Sequence, residues 1–422
     1  MHLHRGTVGL LGLALLLAAC TSDGQSTPMV DSPSASAGGT LRVWLMDSSQ
    51  PASIVEAVKS RFATAYPKVE VEVERLQWSG IQEALDTALA SQTPPDVVEI
   101  GNSATARYAD EGLLAELDPA AFGVEGMLPG LVPSGELDGT RYGIPYYGGV
   151  RVVVYKRSDF EKAGVKVPGT MAELERVAAA LQKANADNGD YSAFYFPGRF
   201  WYGALPFIWD AGGEIAVQDG GQWTGALDSD GSRAGLSTLA RLVDSYSKAP
   251  RDADERKNLD AFRTGDVGMM IDSWWVPGAL NSVGEFAGDV GAFALPGSAA
   301  ATAPAFLGGS DLAVAKGSRN KGLAVEWIKV LTGLEMQTEL ARAVGVIPNQ
   351  EGAFAGHEGN PFLGVADEAA RNSRFTPVSP FWGDVERAEI LPDMLEDIFT
   401  GSATLEAATD EASQALTATL NR

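Results

Sequence analysis

Cysteine and histidine are almost missing from this sequence. There is one cysteine, Cys20, and there are three histidines, His2, His4 and His357. A single thiol excludes any disulfide within the chain. So few nitrogen and sulfur ligands exclude zinc or copper sites of the usual composition. Positive charge is also scarce: 32 Lys and Arg face 55 Asp and Glu, a formal charge of −23. Such a surface repels phosphate backbones, which argues against nucleic-acid partners. It also disfavours adhesion to anionic headgroups through basic patches, and the acid excess reads as a solubilising surface. No Gly-x-x-x-x-Gly-Lys-Ser/Thr motif occurs, so no phosphate cradle is present and ATP would have to be hydrolysed elsewhere. Nor does the amino-terminal apolar run, Val8–Ala19, span a bilayer. Twelve helical residues rise only about 18 Å, against a hydrocarbon core of about 30 Å.

That short run is nevertheless informative. It follows Arg5 and ends in small residues, the pattern of a secretory signal peptide over residues 1–19. Leu17-Ala18-Ala19-Cys20 resembles the bacterial lipobox, in which the cysteine becomes the acylated first residue. Lipidation would account for a lone thiol in an exported chain, and two acyl chains would give stable attachment. His2 and His4 would leave with the leader. A Ser–His–Asp triad would then have to use His357, which sits in the flexible stretch Gly356-His357-Glu358-Gly359. Residues 20–39 are Ser/Gly/Pro-rich and read as a flexible tether.

The body then alternates between strand and helix patterns. Leu41–Leu45 is a short apolar strand, and Ile54, Val58 and Phe62 recur on one helical face. Val69, Val71 and Val73 alternate with Glu70, Glu72 and Glu74, a half-buried strand. Ile81, Leu85 and Leu89 return to helical spacing, and Asp96–Ile100 is a buried strand closed by Gly101-Asn102. Strand, helix, strand, helix, strand implies βα units in one sheet. In open α/β sheets ligands sit beyond the carboxyl ends of strands, which singles out the loops 46–50, 78–80 and 101–103. Later strands are expected at Val150–Tyr155, Gly268–Asp272 and within Ala305–Val314. Helices are expected at Met171–Ala184, around Leu205–Trp209, and at Leu323–Leu331, Glu335–Ala343, Arg387–Phe399 and Leu405–Leu420.

Aromatic residues carry the chemistry. Trp327 lies in an amphipathic helix and reads as core. Trp44, Trp78, Trp201, Trp274, Trp275 and Trp382 stand in turn-like settings beside Gly, Ser, Asp or Pro. A flat ring covers the C–H face of a sugar, while Asp, Asn, Arg and backbone groups satisfy its hydroxyls. A second reading, an exported glycosidase, would need two carboxylates flanking the aromatic cleft. A third, a structural or adhesive lipoprotein, would show no stoichiometric ligand. Asp228-Ser229-Asp230-Gly231 lacks the remaining ligands of a calcium loop and reads as a solvated turn, as does Asp187-Asn188-Gly189-Asp190.

Leu41-Arg42-Val43-Trp44-Leu45-Met46, Gln77-Trp78-Ser79-Gly80-Ile81 and Pro94 through Asn102 resemble the amino-terminal lobe of family 1 extracellular solute-binding proteins, the sugar-binding subunits of ABC importers. Gly268 through Trp274 is similar to that family's strand-to-loop signature in the second lobe. The resemblance runs from about Gly39 onward. It implies a periplasmic-binding-protein-like α/β fold: two lobes joined by several hinge crossovers, with a ligand cleft between them. The lobes would comprise 40–146 with 309–350, and 147–308 with 351–422, and crossings would fall at Tyr146–Gly149, Gly308–Asp311 and between Val346 and Phe375. It also implies stacking by Trp201, Tyr202, Trp275 and Trp382, with Trp78 and Trp274 as further loop-borne aromatics and Tyr147 at the hinge. Tyr147 departs from relatives that carry a carboxylate there, which argues against maltodextrin itself. Asp47, Asn102, Asp272 and Asp311 would take hydroxyls and Arg199 would donate. The wording of the first lobe is more similar to actinobacterial proteins for chitobiose or N-acetylglucosamine. The implied partners are a carbohydrate and the transmembrane permease subunits of an importer. The chain would be a monomer, lipid-anchored on the outer face of the cell membrane, with no cofactor and no metal.

Overall fold

The structure, a computed structural model, describes residues 33–34, 38–47, 49–354 and 360–422. The leader, Cys20, most of the expected tether and His357 lie outside the described residues. The chain contributes to its two principal sheets through β1 (Gly38–Met46), β2 (Lys68–Leu76), β3 (Val97–Gly101), β4 (Gly143–Gly149), β5 (Arg151–Lys156), β6 (Met269–Ser273), β7 (Val290–Phe293), β8 (Gly308–Val314) and β9 (Ile347–Pro348).

The valine–glutamate alternation of β2 suits an edge. Val69 is buried, while Glu70, Glu72 and Glu74 face solvent and discourage pairing with another chain. β1 pairs in parallel with both β2 and β3, as the βα pattern requires. β8 then inserts antiparallel between β3 and β4, so the six-stranded sheet runs β9-β4-β8-β3-β1-β2. Helices Ala52–Ala65 and Lys321–Thr332 share one apolar cluster with this sheet, through Ile54, Val58, Phe62, Leu323 and Ile328. Trp327 is fully buried there, with its ring edge-on to Phe62. A separate cluster joins Leu85 and Leu89 of helix Ile81–Leu89 to Tyr108 and to Val98 and Ile100 of β3.

The second lobe is built on a three-stranded antiparallel sheet, β6-β5-β7. Its core is dominated by phenylalanines: Phe194, Phe196, Phe200 and Phe207 pack with leucines of helices Asp230–Tyr246 and Leu405–Leu420. Only Val150 separates β4 of the first sheet from β5 of the second. The return passes through Ala305–Phe306, which pairs with Ser373–Arg374, into β8. A third cluster sits between the sheets and combines Leu128 and Ile347 with Val150, Val152 and Leu363. The result is two α/β lobes joined by close crossings.

Three local expectations are corrected. Trp44 is not in a turn but inside β1, where its residue pairs with Glu74 and Val98. The stretch Arg387–Phe399 is not one helix: it breaks between Trp382–Arg387 and Ile390–Thr400, where Glu389 adopts φ 51°. Asp228–Gly231 does not stay a turn, because the Ser229 hydroxyl accepts from the Ser232 amide and caps helix Asp230–Tyr246.

Candidate ligand-binding site

The parallel strands of the first lobe point their carboxyl ends at the junction. β1 leads into Asp47, β2 into Trp78, and β3 into Asn102 and Ser103. From the other side, β5 begins with Arg151 and β6 ends at Ser273, with Trp274 and Trp275 next in sequence. Between these sets lies a cleft of about 370 Å³. Its walls include Trp78, Asn102, Tyr147, Arg151, Tyr202, Trp275 and Phe306, and its floor carries glycines 308 and 309 of the crossing strand. Gly309 has φ +153°, and a Cβ there would lie 2.1 Å from the Tyr147 carbonyl oxygen. Only glycine lets β8 come so close to β4, and the Gly309 carbonyl in turn accepts from the Asn102 amide at 3.1 Å.

A buried carboxylate fixes the hinge side. Glu99, with no exposed surface, accepts from the Met46 amide at 2.8 Å, from Ser49 at 2.6 Å, from Ser310 at 2.8 Å and from the Tyr147 hydroxyl at 3.2 Å. Burial pushes its pKa upward, against the pull of these donors. The network links β1, β3, β4 and β8, and it holds the Tyr147 ring at the cleft wall. Tyr146 is turned inward, where its hydroxyl donates to Gln50 at 2.6 Å.

The opposite wall is an aromatic stack. Trp201 and Tyr202 lie face to face at 3.8 Å, Phe306 continues from Tyr202 at 5.0 Å, and Phe375 follows at 6.0 Å. The Arg151 guanidinium lies 4.4 Å from the Tyr202 ring centre and forms an ion pair with Glu255 at 3.3 Å. Beside it, burial raises the Asp272 carboxyl to about 6, although the Ser273 amide and Arg151 favour its charged form. Trp275 projects at the rim with 49% of its surface exposed. Its carbonyl accepts from Ala279 at the start of helix Val276–Asn281, so the backbone that carries the ring is fixed. Asn102 is only 5% exposed, and its side-chain nitrogen has no partner among the described residues.

Of the residues expected at the site, the cleft brings together Trp78, Asn102, Tyr147, Tyr202, Trp274 and Trp275. The others lie elsewhere. Asp47 pairs with Arg75 at 2.9 Å on an exposed loop. Arg199 is clamped by Glu389 and Asp393, each at 2.7 Å, and by Glu396. Trp201 backs Tyr202 and has Trp382 behind it at 6.1 Å; Trp382 is buried, with its indole donating to Glu386 at 2.9 Å. Asp272 backs the cleft without lining it. Asp311 is buried inside the first lobe, accepting from Thr105 at 2.7 Å and Ser134 at 3.0 Å. Burial lifts its carboxyl to about 6.

Sequence reasoning missed Arg151, Ser273 and Phe306, and reached Ser103 only as part of the loop 101–103. Arg151 left a signal: it is the one charge among the first five residues of the apolar run Val150-Arg151-Val152-Val153-Val154. Such a position in a buried strand has to be paired or functional. Among the described residues, no group of three or more His, Cys, Asp and Glu could hold a metal ion, and no helix is long and apolar enough to cross a membrane.

Residues 47–338 match the family described as bacterial extracellular solute-binding protein. The chain is 34% identical over 386 residues to the diacetylchitobiose binding protein DasA of Streptomyces coelicolor, covering 90% of this chain and 89% of that one. Its fold is similar to that of the sugar-binding protein MalE from Xanthomonas citri, with a TM-score of 0.79 and 22% identity over 91% of this chain and 98% of that one. It is also similar in fold to the cyclic alpha-maltosyl-1,6-maltose binding protein of Arthrobacter globiformis, with a TM-score of 0.79 and 19% identity over 91% and 99% of the two chains. With two α/β lobes, an aromatic cleft at their junction and a family match over most of its length, the chain belongs to the bacterial extracellular solute-binding proteins.

Proposed function

We propose that this protein is the extracellular receptor of an ABC importer and that its cleft takes a neutral sugar, best matched by a disaccharide of N-acetylglucosamine. The composition of the cleft carries this reading. Trp78 and Trp275 offer exposed flat faces and Tyr202 and Phe306 add apolar wall, while Asn102, Arg151, Ser103 and Ser273 offer hydrogen-bonding groups. Rings and donors at one junction suit the two faces of a pyranose. The buried, unpartnered Asn102 nitrogen seeks an acceptor, because leaving it unpaired costs about 1–3 kcal/mol. The relatedness to a diacetylchitobiose binding protein supports the choice of sugar.

Hydrolysis is the weaker reading. It needs two carboxylates flanking the substrate, and among the described residues no Asp or Glu lines the cleft. The nearby Asp272 and Glu255 are engaged by the Ser273 amide and by Arg151.

In this account the sheets move the lobe bounds by a few residues, to 38–149 with 308–350, and 150–307 with 351–422. They close over the sugar, and the closed form docks on the transmembrane permease subunits. A signal peptide over residues 1–19 is removed, a diacylated Cys20 tethers the monomer to the outer face of the membrane, and the residues from 20 up to β1 at Gly38 act as the leash. Thermal shift against chitobiose, N-acetylglucosamine, cellobiose, xylobiose, maltose and trehalose tests the sugar. An upshift with chitobiose and none with maltose is expected, and silence across the panel would sink the proposal.

A further inference from the structure

Trp78 lines two cavities. Besides the interlobe cleft, it borders a second space of about 360 Å³ held within the first lobe, between the start of helix Ile81–Leu89 and helix Thr105–Asp110. Trp78, Gly101 and Ser103 line both, so the two spaces meet at these residues. Their chemistry differs. Ile81, Leu85, Ile100, Ala104 and the Tyr108 ring form an apolar wall, Gln82 also lines the space, and among the described residues no Asp, Glu, Lys or Arg does. The Tyr108 hydroxyl is occupied, donating to Asp86 at 2.9 Å. The helix Ile81–Leu89 leaves Ile81 only half-buried at this wall.

An all-hydroxyl sugar gains little from such a surface, because most of its hydroxyls would lose water with only Gln82 and Ser103 offering uncommitted polar side chains. An apolar group attached to the sugar would gain in proportion to the area it hides. We propose that the cleft continues past Trp78 into an apolar subsite that holds an apolar substituent of the bound sugar. This rests on the carbohydrate reading above. The shared chemistry is a small apolar group linked to a pyranose, and it has two sources: an N-acyl group on the ring, or an aglycone at the end of the sugar. Ser103 lines both spaces and brings a hydroxyl to their border.

The test is calorimetry on the full chain with three ligands of one skeleton: cellobiose, N,N′-diacetylchitobiose and an aryl cellobioside. Each is titrated into the unchanged protein and into Ile81→Asp. Position 81 opens its helix, where a negative charge suits the dipole, so folding is retained and checked by a melting curve. Diacetylchitobiose binding on the order of tenfold tighter than cellobiose, with Ile81→Asp erasing the preference and leaving cellobiose within about twofold, assigns the subsite to the acyl group. The same pattern for the aryl cellobioside alone assigns it to an aglycone. If Ile81→Asp melts early, Ala104→Asn replaces it, since residue 104 precedes helix Thr105–Asp110 at a position that favours Asn. Equal affinities for all three ligands, or a preference that survives the substitution, would overturn the subsite. If none of the three binds, the N-acetylglucosamine reading itself fails and the subsite with it.

Discussion

Replacing Trp275 with alanine isolates one wall of the cleft. A tryptophan presents roughly 200–250 Å², and Trp275 has 49% of its surface exposed, so roughly 100–120 Å² is free to meet a ligand. A pyranose face covering about half of that hides about 55 Å². At about 25 cal/mol per Å² this is worth about 1.4 kcal/mol, or roughly tenfold in Kd. Stacking geometry adds up to about 1 kcal/mol, so the expected loss is roughly 10- to 50-fold. Stability is expected to change little, because exposed side chains contribute within about 0.5 kcal/mol and the helix start at Val276 relies on the backbone of residue 275 rather than on its ring. Calorimetry gives the affinity and a melting curve gives the stability. An unchanged Kd for Trp275→Ala would refute the stacking argument. A large loss of melting temperature would show that the ring is structural instead.

Other outcomes follow from the same geometry. Arg151→Met removes a charge-assisted donor worth about 1.5–3 kcal/mol, so calorimetry is expected to show a loss of roughly 10- to 100-fold. Arg151→Lys recovers the charge but not the planar fork lying over Tyr202, and should bind at an intermediate level. Burial holds Asp311 and Asp272 at about 6, above the ordinary aspartate value of 3.8. The stability each contributes is therefore complete below about pH 4 and is lost as pH rises through about 6. Each group then favours the folded state by about 1 kcal/mol at pH 5 relative to pH 7. Asp311→Asn is expected to flatten the melting-temperature profile over that window, and an unaltered profile would contradict the burial argument. Cys20→Ser expressed in a bacterial host should move the protein from the membrane fraction to the medium, and membrane retention would remove the lipid anchor from the account.

The fold was legible where the hydrophobic period was clean. The Val69–Val73 alternation, the Ile54–Phe62 face and the helix Met171–Ala184 all appear as read. The site was only partly legible. Trp78, Trp275 and Asn102 announced themselves as polar-flanked residues at strand ends, and these do line the cleft. Trp382 has the same local setting but is covered by Trp201, because a loop neighbourhood does not reveal what packs above it. Arg199 resembled a free donor. Its three acidic partners come from Glu389, Asp393 and Glu396, about 190 residues away in sequence. Asp311 likewise read as a polar residue at a hinge, whereas the antiparallel insertion of β8 carries it into the interior beside Thr105 and Ser134. Long-range pairing separates a binding carboxylate from a structural one, and no local window contains it.

Isothermal titration of the protein with N,N′-diacetylchitobiose, followed by chromatography of the recovered sugar, tests the central claim most directly. One equivalent bound and intact disaccharide recovered is the expected result. Cleaved sugar, or no binding by any sugar of the panel, would contradict the account of this cleft as a sugar receptor.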